Sequence, residues 1–161
     1  MNFMIDFENT RDRGLDGVEY LTKEDSVTIF YSNSCKKIGQ GRLQQIIDSK
    51  CEFDICCLQN TGKNALDFYI ASRIGEIYGS GFSGTTAIVS KDNGFKAVKD
   101  YWKSCSCEQR NIILKPVIQE SILSANEDSV RRLIIKEKLK DVDISIEFKK
   151  YEERIKIRKR L

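Results

Sequence analysis

Short apolar runs alternate with segments of helical spacing through the first 116 residues, and this alternation constrains the fold more than any other feature of the chain. The apolar runs have the length of strands and lie at residues 2–7, 26–32, 51–58, 85–91 and 111–115. The segments between them predict helices near Gly14–Leu21, Gly41–Ser49, Asn64–Tyr78 and Gly94–Lys103. Strands and helices that alternate in this way build parallel sheets with right-handed crossovers. We therefore expect an α/β domain of three layers, α/β/α, around a parallel sheet.

The C-terminal part of the chain is helical in pattern and basic in charge. Residues 129–161 hold 12 Lys/Arg and 6 Asp/Glu, whereas residues 1–128 hold 15 and 18. A helix is predicted at Ser129–Lys140, and beyond it a narrow apolar stripe recurs at helical spacing at Ile144, Phe148, Tyr151 and Ile155. We expect residues 1–116 to form the core domain. Residues 117–161 would form a helical extension, packed on that core or at a homodimer interface.

The residue types in the chain exclude several kinds of site. The sequence contains no histidine, which removes Ser-His-Asp and Cys-His catalysis and all histidine metal ligands. Among its six cysteines, neither Cys56-Cys57 nor Cys105-Ser106-Cys107 has the C-x2-C spacing usual in structural zinc sites. A chain of this size in a reducing compartment does not need disulfides, and cysteine in a strand commonly serves as a small apolar residue. Carboxylates acting with a metal are the strongest remaining option for catalysis.

Targeting signals and membrane spans are not evident in the sequence. No stretch approaches the ~18 apolar residues of a membrane span. The start of the chain lacks a basic region followed by an apolar one. We therefore expect a cytoplasmic protein without a membrane partner.

Three aspartates stand where a parallel sheet would gather its ligands. Asp6 and Asp92 each follow an apolar run, and Asp67 lies in the first turn of a predicted helix. The carboxyl ends of parallel strands meet at one edge of the sheet, so we expect these side chains to converge there. At roughly 4 Å and an effective dielectric near 20, two carboxylates repel each other by about 4 kcal/mol. A hard divalent cation relieves that repulsion, so the pattern predicts a Mg²⁺ or Mn²⁺ site.

Neighbouring polar residues could support these aspartates. In an extended segment Asp6 and Glu8 share one face and could reach one metal, while the side-chain amide of Asn9 could brace a carboxylate. Asn64 is placed to cap the helix that carries Asp67. Residues of these types also end strands, open turns and favour the helix dipole without any catalytic role, so the structural interpretation stays open.

The segment that contains Asp92 carries more information. An apolar run ends here in Asp-Asn-Gly, and helical spacing then resumes. Ser90 and Asn93 can each donate a hydrogen bond to a carboxylate or to a bound phosphate. Gly94 permits a close backbone approach or a positive φ.

Four basic residues are predicted at the same edge of the sheet. They are Lys36, Lys37, Arg42 and Lys63. Beside an acidic site they would hold phosphates while the carboxylates hold metal, and Lys63 would stand near a helix N-terminus. The segment Gly39-Gln40-Gly41 is too weak for a dinucleotide fingerprint, because the full motif and its place after the first strand are missing. A solvated basic loop remains the alternative interpretation.

Taken in order, three short motifs resemble those of the PIN-like and NYN-type nuclease superfamily. They are Asp6-Phe7-Glu8-Asn9, Lys63-Asn64-Ala65-Leu66-Asp67-Phe68 and Ser90-Lys91-Asp92-Asn93-Gly94-Phe95. The resemblance spans residues 1–116 and implies metal-dependent hydrolysis of a phosphodiester bond, usually in RNA. It also implies that Asp6, Asp67 and Asp92 ligate the cation, directly or through water. The metal would lower the pKa of a bound water and offset charge on the scissile phosphate.

One departure from the family pattern leaves a second function open. Many relatives have a further carboxylate two residues after the third aspartate, where this chain has Gly94. The fourth ligand would then be Glu8 or water, or the site would hold one metal. We predict a Mg²⁺- or Mn²⁺-dependent endoribonuclease acting on RNA, single-stranded rather than duplex. The alternative is a catalytically inactive PIN-like RNA-binding or interaction module. A receiver-like protein is disfavoured, because no phosphoacceptor aspartate ends the third predicted strand.

Overall fold

A five-stranded parallel sheet forms the centre of the computed structural model, which describes residues 1–59, 62–105, 110–125 and 129–141. The strands are β1 (Asn2–Asp6), β2 (Ser26–Tyr31), β3 (Glu52–Cys57), β4 (Gly84–Val89) and β5 (Arg110–Lys115). Their order across the sheet is β3-β2-β1-β4-β5. The chain winds outward from β1 to β3 and then crosses back to β4, so the winding direction reverses between β1 and β4. Open α/β sheets bind their ligands at this kind of reversal.

Helices cover both faces of the sheet, which confirms the predicted three-layer α/β/α class. The helices packed around the sheet are α1 (Phe7–Gly14), α2 (Gln40–Ser49), α3 (Ala65–Gly79), α4 (Lys96–Ser104) and α5 (Ile118–Ser124). A further helix, α6 (Val130–Lys138), follows later in the chain. Two short 3₁₀ turns lie at Val18–Tyr20 and Asn93–Phe95. Within the ranges given above, none of these helices has both the length and the apolar character needed to cross a membrane.

The core on one face of the sheet holds α3 against the central strands. The buried side chains of α3 recur at helical spacing at Leu66, Ile70, Ile74 and Tyr78. They pack in one cluster with Met4 of β1 and Ile88 of β4. The Tyr78 hydroxyl donates to the backbone oxygens of Gly84, at 3.3 Å, and Asn111, at 3.1 Å. These contacts fix α3, and with it the first turn that carries Asp67, relative to the sheet.

The helix predicted at Gly14–Leu21 is wrong. The helix in this connection is α1, which begins directly after Asp6, and a 3₁₀ turn follows it. Gly17 precedes that turn with a φ of 104°, in the left-handed region that favours glycine. A Cβ added at Gly17 would lie 2.6 Å from the backbone nitrogen of Gln119, which donates to the Asp16 carbonyl at 2.9 Å. The approach of the chain at Gln119 therefore breaks the helical pattern here.

The chain divides into two compact units, Met1–Glu127 and Asp128–Leu161. The first unit contains the sheet and α1–α5. In the second unit, α6 falls within the predicted helix Ser129–Lys140, and the Ser129 hydroxyl accepts from the Arg132 N–H at 3.4 Å as an N-cap. Predictions for the apolar stripe at Ile144–Ile155 and for the basic residues around it concern residues outside the described part of the chain. The cysteines that the structure describes are free thiols: Cys35, Cys51, Cys56, Cys57 and Cys105.

Candidate active site

Asp6 ends the central strand and is held in place from two directions. Its side chain is 3% exposed, and its Oδ1 accepts from the Asn9 N–H at 3.1 Å, so that Asp6 is the N-cap of α1. Its Oδ2 accepts from the Ser90 hydroxyl at 2.7 Å. The Thr10 hydroxyl donates to the Asp6 carbonyl at 2.7 Å. Both carboxylate oxygens therefore have fixed directions before any ligand arrives.

Glu8 lies at the same site as Asp6, but it belongs to a helix and not to the predicted extended segment. The expectation that Asp6 and Glu8 share one face of a strand is wrong, because β1 ends at Asp6 and Glu8 lies in the first turn of α1. The Ser32 hydroxyl donates to Glu8 Oε1, as does the Ser34 hydroxyl at 3.3 Å. The residue that braces Asp6 within this motif is Asn9, which does so through its backbone N–H and not through its side-chain amide.

Asp67 lies in the first turn of α3, as predicted. Its carboxylate is partly buried, and no hydrogen bond to it is seen from the residues that the structure describes. Asn64 holds the predicted N-cap position, but its side chain makes no capping hydrogen bond and its φ is 61°. Asparagine tolerates this left-handed conformation better than most residues. Asn64 therefore turns the chain into α3 and does not cap the helix.

Asp92 is fixed by a tight turn after β4. Its N–H donates to the Ser90 hydroxyl at 3.0 Å, and its Oδ1 accepts from the Gly94 N–H at 2.7 Å. Asp92 thus caps the 3₁₀ turn at Asn93–Phe95. Ser90 contacts both aspartates, because its hydroxyl donates to Asp6 and accepts from Asp92. Asn93 is exposed and makes no contact with either carboxylate among the hydrogen bonds of the described residues.

The carboxylates from these four segments open into one cavity of about 510 Å³. The cavity is lined by Asp6, Glu8, Asn9, Ser32, Leu58, Gly62, Asn64, Ala65, Leu66, Asp67 and Asp92. All three predicted aspartates line it, together with the supporting residues Glu8, Asn9 and Asn64. It lies at the carboxyl edge of the sheet, where the winding direction reverses.

Two of the carboxyl groups in the cavity, those of Asp6 and Asp67, have raised pKa values. Burial raises the pKa of Asp6, hydrogen bonds from the Ser90 hydroxyl and the Asn9 backbone lower it, and the charges of Asp67 and Glu8 raise it further. Burial also raises the pKa of Asp67, and the charge of Asp92 adds to that increase. The neighbouring carboxylates therefore make ionisation of Asp6 and Asp67 harder. A cation in the cavity would reverse this effect.

The donor set suits a hard cation, although the side chains do not form a closed cage. Asp6, Glu8, Asp67 and Asp92 offer oxygen atoms only, which Mg²⁺ and Mn²⁺ prefer. In the ranges that the structure describes, no group of three or more His, Cys, Asp or Glu side chains is arranged to hold a metal ion.

The four predicted phosphate-binding residues are not gathered at the cavity. The Arg42 guanidinium pairs with Asp16, and Lys36 lines a different cavity, between α1, α2 and the edge of the sheet. Lys37 is exposed in the loop before α2. Lys63 is also exposed, but it lies between Gly62 and Asn64, which both line the acidic cavity. Of the four, Lys63 alone has both of its sequence neighbours in the lining of the acidic cavity.

Sequence reasoning missed Ser32, which is buried and holds Glu8. The signal was present, because Ser32 follows β2 directly and β2 is the neighbour of β1. Polar residues at the ends of adjacent parallel strands meet at one edge. Leu58, Ala65 and Leu66, which form the apolar part of the wall, carry no signal that distinguishes them from core residues.

Comparison with known proteins identifies a family. The family model PIN7, described as a PIN domain, matches residues 1–112, which include β1–β4 and all four carboxylates of the cavity. PIN domains are generally metal-dependent nucleases. The searches of curated proteins and of solved structures find no match. The family match supports the resemblance drawn from the three motifs.

Proposed function

Because this chain belongs to the PIN-domain family, we propose that it is a metal-dependent endoribonuclease. The observation that carries the proposal is the convergence of Asp6, Asp67, Asp92 and Glu8 on one cavity at the reversal of the sheet. Burial and the neighbouring charges raise the pKa of Asp6 and of Asp67, so it is costly to keep these groups ionised here. Binding a divalent cation gives that arrangement a use.

Mg²⁺ or Mn²⁺ fits the oxygen-only donor set. Asp6, Asp67 and Asp92 would hold the ion, with Glu8 available in place of the further carboxylate that Gly94 does not provide. Mg²⁺ usually keeps several waters and binds through one or two carboxylates, so it does not require three side chains in direct contact. A bound ion supplies charge neutralisation at the scissile phosphate and a more acidic water.

Hydrogen bonds within the chain orient the acidic groups, and one of these groups would accept the proton that the attacking water loses. Ser90 and the Asn9 backbone fix the two oxygens of Asp6, and Ser32 fixes Glu8. No hydrogen bond from the described residues occupies the carboxylate of Asp67, so an oxygen that does not contact the ion could accept a proton from the attacking water. Since the chain has no histidine, a carboxylate is the group available for this role.

RNA is the proposed substrate, and a single strand suits the open cavity. Lys63 at the cavity rim and the excess of Lys/Arg in residues 129–161 would contact phosphates without reading sequence. The cytoplasm is the proposed location.

A second candidate is a catalytically inactive RNA-binding or interaction module with the same fold. The observation that favours it is that the described carboxylates form no group of three arranged to hold a metal ion. Gly94, in place of a further carboxylate, is consistent with it.

Cleavage assays distinguish the two candidates. Purified protein is incubated with labelled single-stranded RNA and, separately, single-stranded DNA, in Mg²⁺, Mn²⁺ or EDTA. The endoribonuclease proposal predicts metal-dependent loss of RNA that Asp6→Asn abolishes. If the wild-type protein and Asp6→Asn both bind RNA and neither cleaves it in Mg²⁺ or Mn²⁺, the result would support the inactive module. Preferential cleavage of DNA would show that the substrate is DNA and not RNA.

A further inference from the structure

A second cavity shares α3 with the acidic one. It has a volume of about 490 Å³ and is lined by Thr28, Phe30, Asp54, Cys56, Phe68, Tyr69, Ser72, Arg73 and Glu76. Its walls are α3 on one side and strands β2 and β3 on the other. Phe68 follows Asp67 directly in sequence, so neighbouring residues of one helical turn face the two cavities. A strand of nucleic acid at Asp67 is therefore within reach of the second cavity.

Phe68 is an apolar side chain in an unusual position. Its ring is 69% exposed, whereas Leu66, Ile70 and Ile74 of the same helix are buried in the core. An exposed aromatic ring beside a substrate cavity offers a face on which a base can stack.

Besides its apolar lining, the cavity carries three charged side chains, Asp54, Arg73 and Glu76. Arg73 and Glu76 form an ion pair of 2.7 Å, and Asp54 extends from β3 opposite α3. With two carboxylates and one guanidinium, the wall disfavours a phosphate. It suits a neutral ring that carries N–H donors, because Asp and Glu accept hydrogen bonds from the amino groups of bases.

We propose that this second cavity is a nucleobase subsite, in which Phe68 stacks on a base and Asp54 accepts a hydrogen bond from its exocyclic amino group. The proposal rests on the proposed function, since the base belongs to a nucleotide next to the scissile phosphate, which the metal ion held by Asp6, Asp67 and Asp92 would contact. It assigns a preference for amino-bearing bases, and thus for cytosine over uracil, at this position.

A protein partner fits the cavity less well than a base. The centres of protein interfaces are depleted of charged residues, whereas three of the nine residues that line this cavity are charged. The cavity also continues along α3 from the proposed cleavage site, as a substrate strand would.

The test compares binding of single-stranded oligomers of cytosine and of uracil, about twelve nucleotides long. All proteins are full-length and carry Asp92→Asn, with Mg²⁺ present and the RNA checked for integrity. The variants are Phe68→Ala, Phe68→Trp and Asp54→Asn. The matched control is Tyr101→Ala, because Tyr101 is 63% exposed on α4 and packs edge-on against Trp102.

If the subsite exists, Phe68→Ala should raise the Kd for RNA by roughly tenfold. Phe68→Trp should keep the wild-type affinity, and Tyr101→Ala should not change it. The subsite also predicts that Asp54→Asn removes the preference for cytosine. Unchanged affinity in Phe68→Ala would overturn the proposal, as would absence of binding to either oligomer. A change in oligomeric state for Phe68→Ala, with RNA affinity unchanged, would identify a protein contact instead.

The experiments distinguish a failure of the subsite proposal from a failure of the nuclease proposal. If Phe68 and Asp54 govern binding but the protein without Asp92→Asn cleaves no RNA, the subsite stands and the nuclease proposal fails. If the protein cleaves RNA and Phe68→Ala leaves RNA binding unchanged, the nuclease proposal stands and the subsite proposal fails.

Discussion

The hydroxyl of Ser90 donates a 2.7 Å hydrogen bond to Asp6 Oδ2, joining residues 84 positions apart in sequence. Ser90 follows β4 and Asp6 ends β1, so the bond connects the two strands between which the winding of the sheet reverses. The same hydroxyl accepts from the Asp92 N–H. Ser90 therefore positions two of the three aspartates proposed to hold the metal.

Ser90→Ala should move the acid limb of the activity profile to higher pH. Removing the hydroxyl removes a hydrogen bond that lowers the pKa of Asp6, so Asp6 becomes protonated at a higher pH. Stability should fall by about 1 kcal/mol with the loss of a buried hydrogen bond. The measurement is kcat/KM for RNA cleavage as a function of pH.

Ser121→Ala is the matched control for this variant. Ser121 is also fully buried, and its hydroxyl donates to the Val117 carbonyl at 3.0 Å, within α5 and its cap. It should lose stability without any shift in the pH profile. An unshifted acid limb in Ser90→Ala would show that Asp6 does not need to be ionised.

Asp67→Asn should stabilise the protein in the absence of metal. The pKa of Asp67 is raised in the folded state, so ionisation opposes folding and stability falls as pH rises through that pKa. Asparagine removes this cost and should raise the Tm by roughly 2 °C at pH 8, a small shift because the group is only partly buried. The difference should vanish below about pH 3, where both states are protonated.

In the presence of metal, the wild-type protein should have a higher Tm than Asp67→Asn, the opposite of the order without metal. Added Mn²⁺ binds the folded state and should raise the Tm of the wild-type protein more than that of Asp67→Asn. Asp100→Asn, an exposed substitution on α4, is the control and should respond as the wild type does. Equal Mn²⁺ shifts in all three proteins would exclude Asp67 from the metal site.

Glu8→Gln should lower kcat by about 10- to 100-fold while leaving the fold intact. Glutamine retains an oxygen that can accept from Ser32 but loses the charge that Glu8 contributes to the cavity. Glu19→Gln, in the exposed part of the first 3₁₀ turn, is the control. Full activity in Glu8→Gln would mean that water completes the site in place of this carboxylate.

The basic C-terminal end gives a prediction from charge alone. Replacing Arg158, Lys159 and Arg160 by Gln should weaken RNA binding and reduce the slope of log K against log salt by about 2, since each phosphate contact contributes about 0.7 for a single strand. Single-turnover cleavage at saturating RNA should not change. An unaltered affinity and slope would mean that these residues do not contact RNA.

The sequence predicted the parallel sheet well, because such a sheet follows from short buried strands. The three aspartates also line one cavity, and their role there stays a prediction. A run such as residues 86–89 has few alternatives, and a residue after it must lie at the carboxyl edge of the sheet. The position of Glu8 was predicted for the wrong reason, since alternation cannot show where a strand ends. The spacing of Asp6 and Asn9, typical of a helix N-cap, was the signal that β1 stops at Asp6.

Features that depend on contacts distant in sequence could not be predicted. Arg42 looks like a phosphate ligand from its charge, but the fold places Asp16 beside it. The helix expected at Gly14–Leu21 is broken because the chain at Gln119 packs against Gly17. The cavity beside Phe68 likewise exists only because α3 crosses near β3, which no local pattern reveals.

Cleavage of a circular single-stranded RNA tests the central claim most directly, because a circle has no ends and only an endonuclease can open it. We expect the wild-type protein and Asp100→Asn to linearise the circle in Mn²⁺ or Mg²⁺ and neither to do so in EDTA. Asp92→Asn should be slower by at least about 100-fold. Cleavage that persists in EDTA or in Asp92→Asn, or an intact circle in both metals, would contradict a metal-dependent endoribonuclease built on these aspartates.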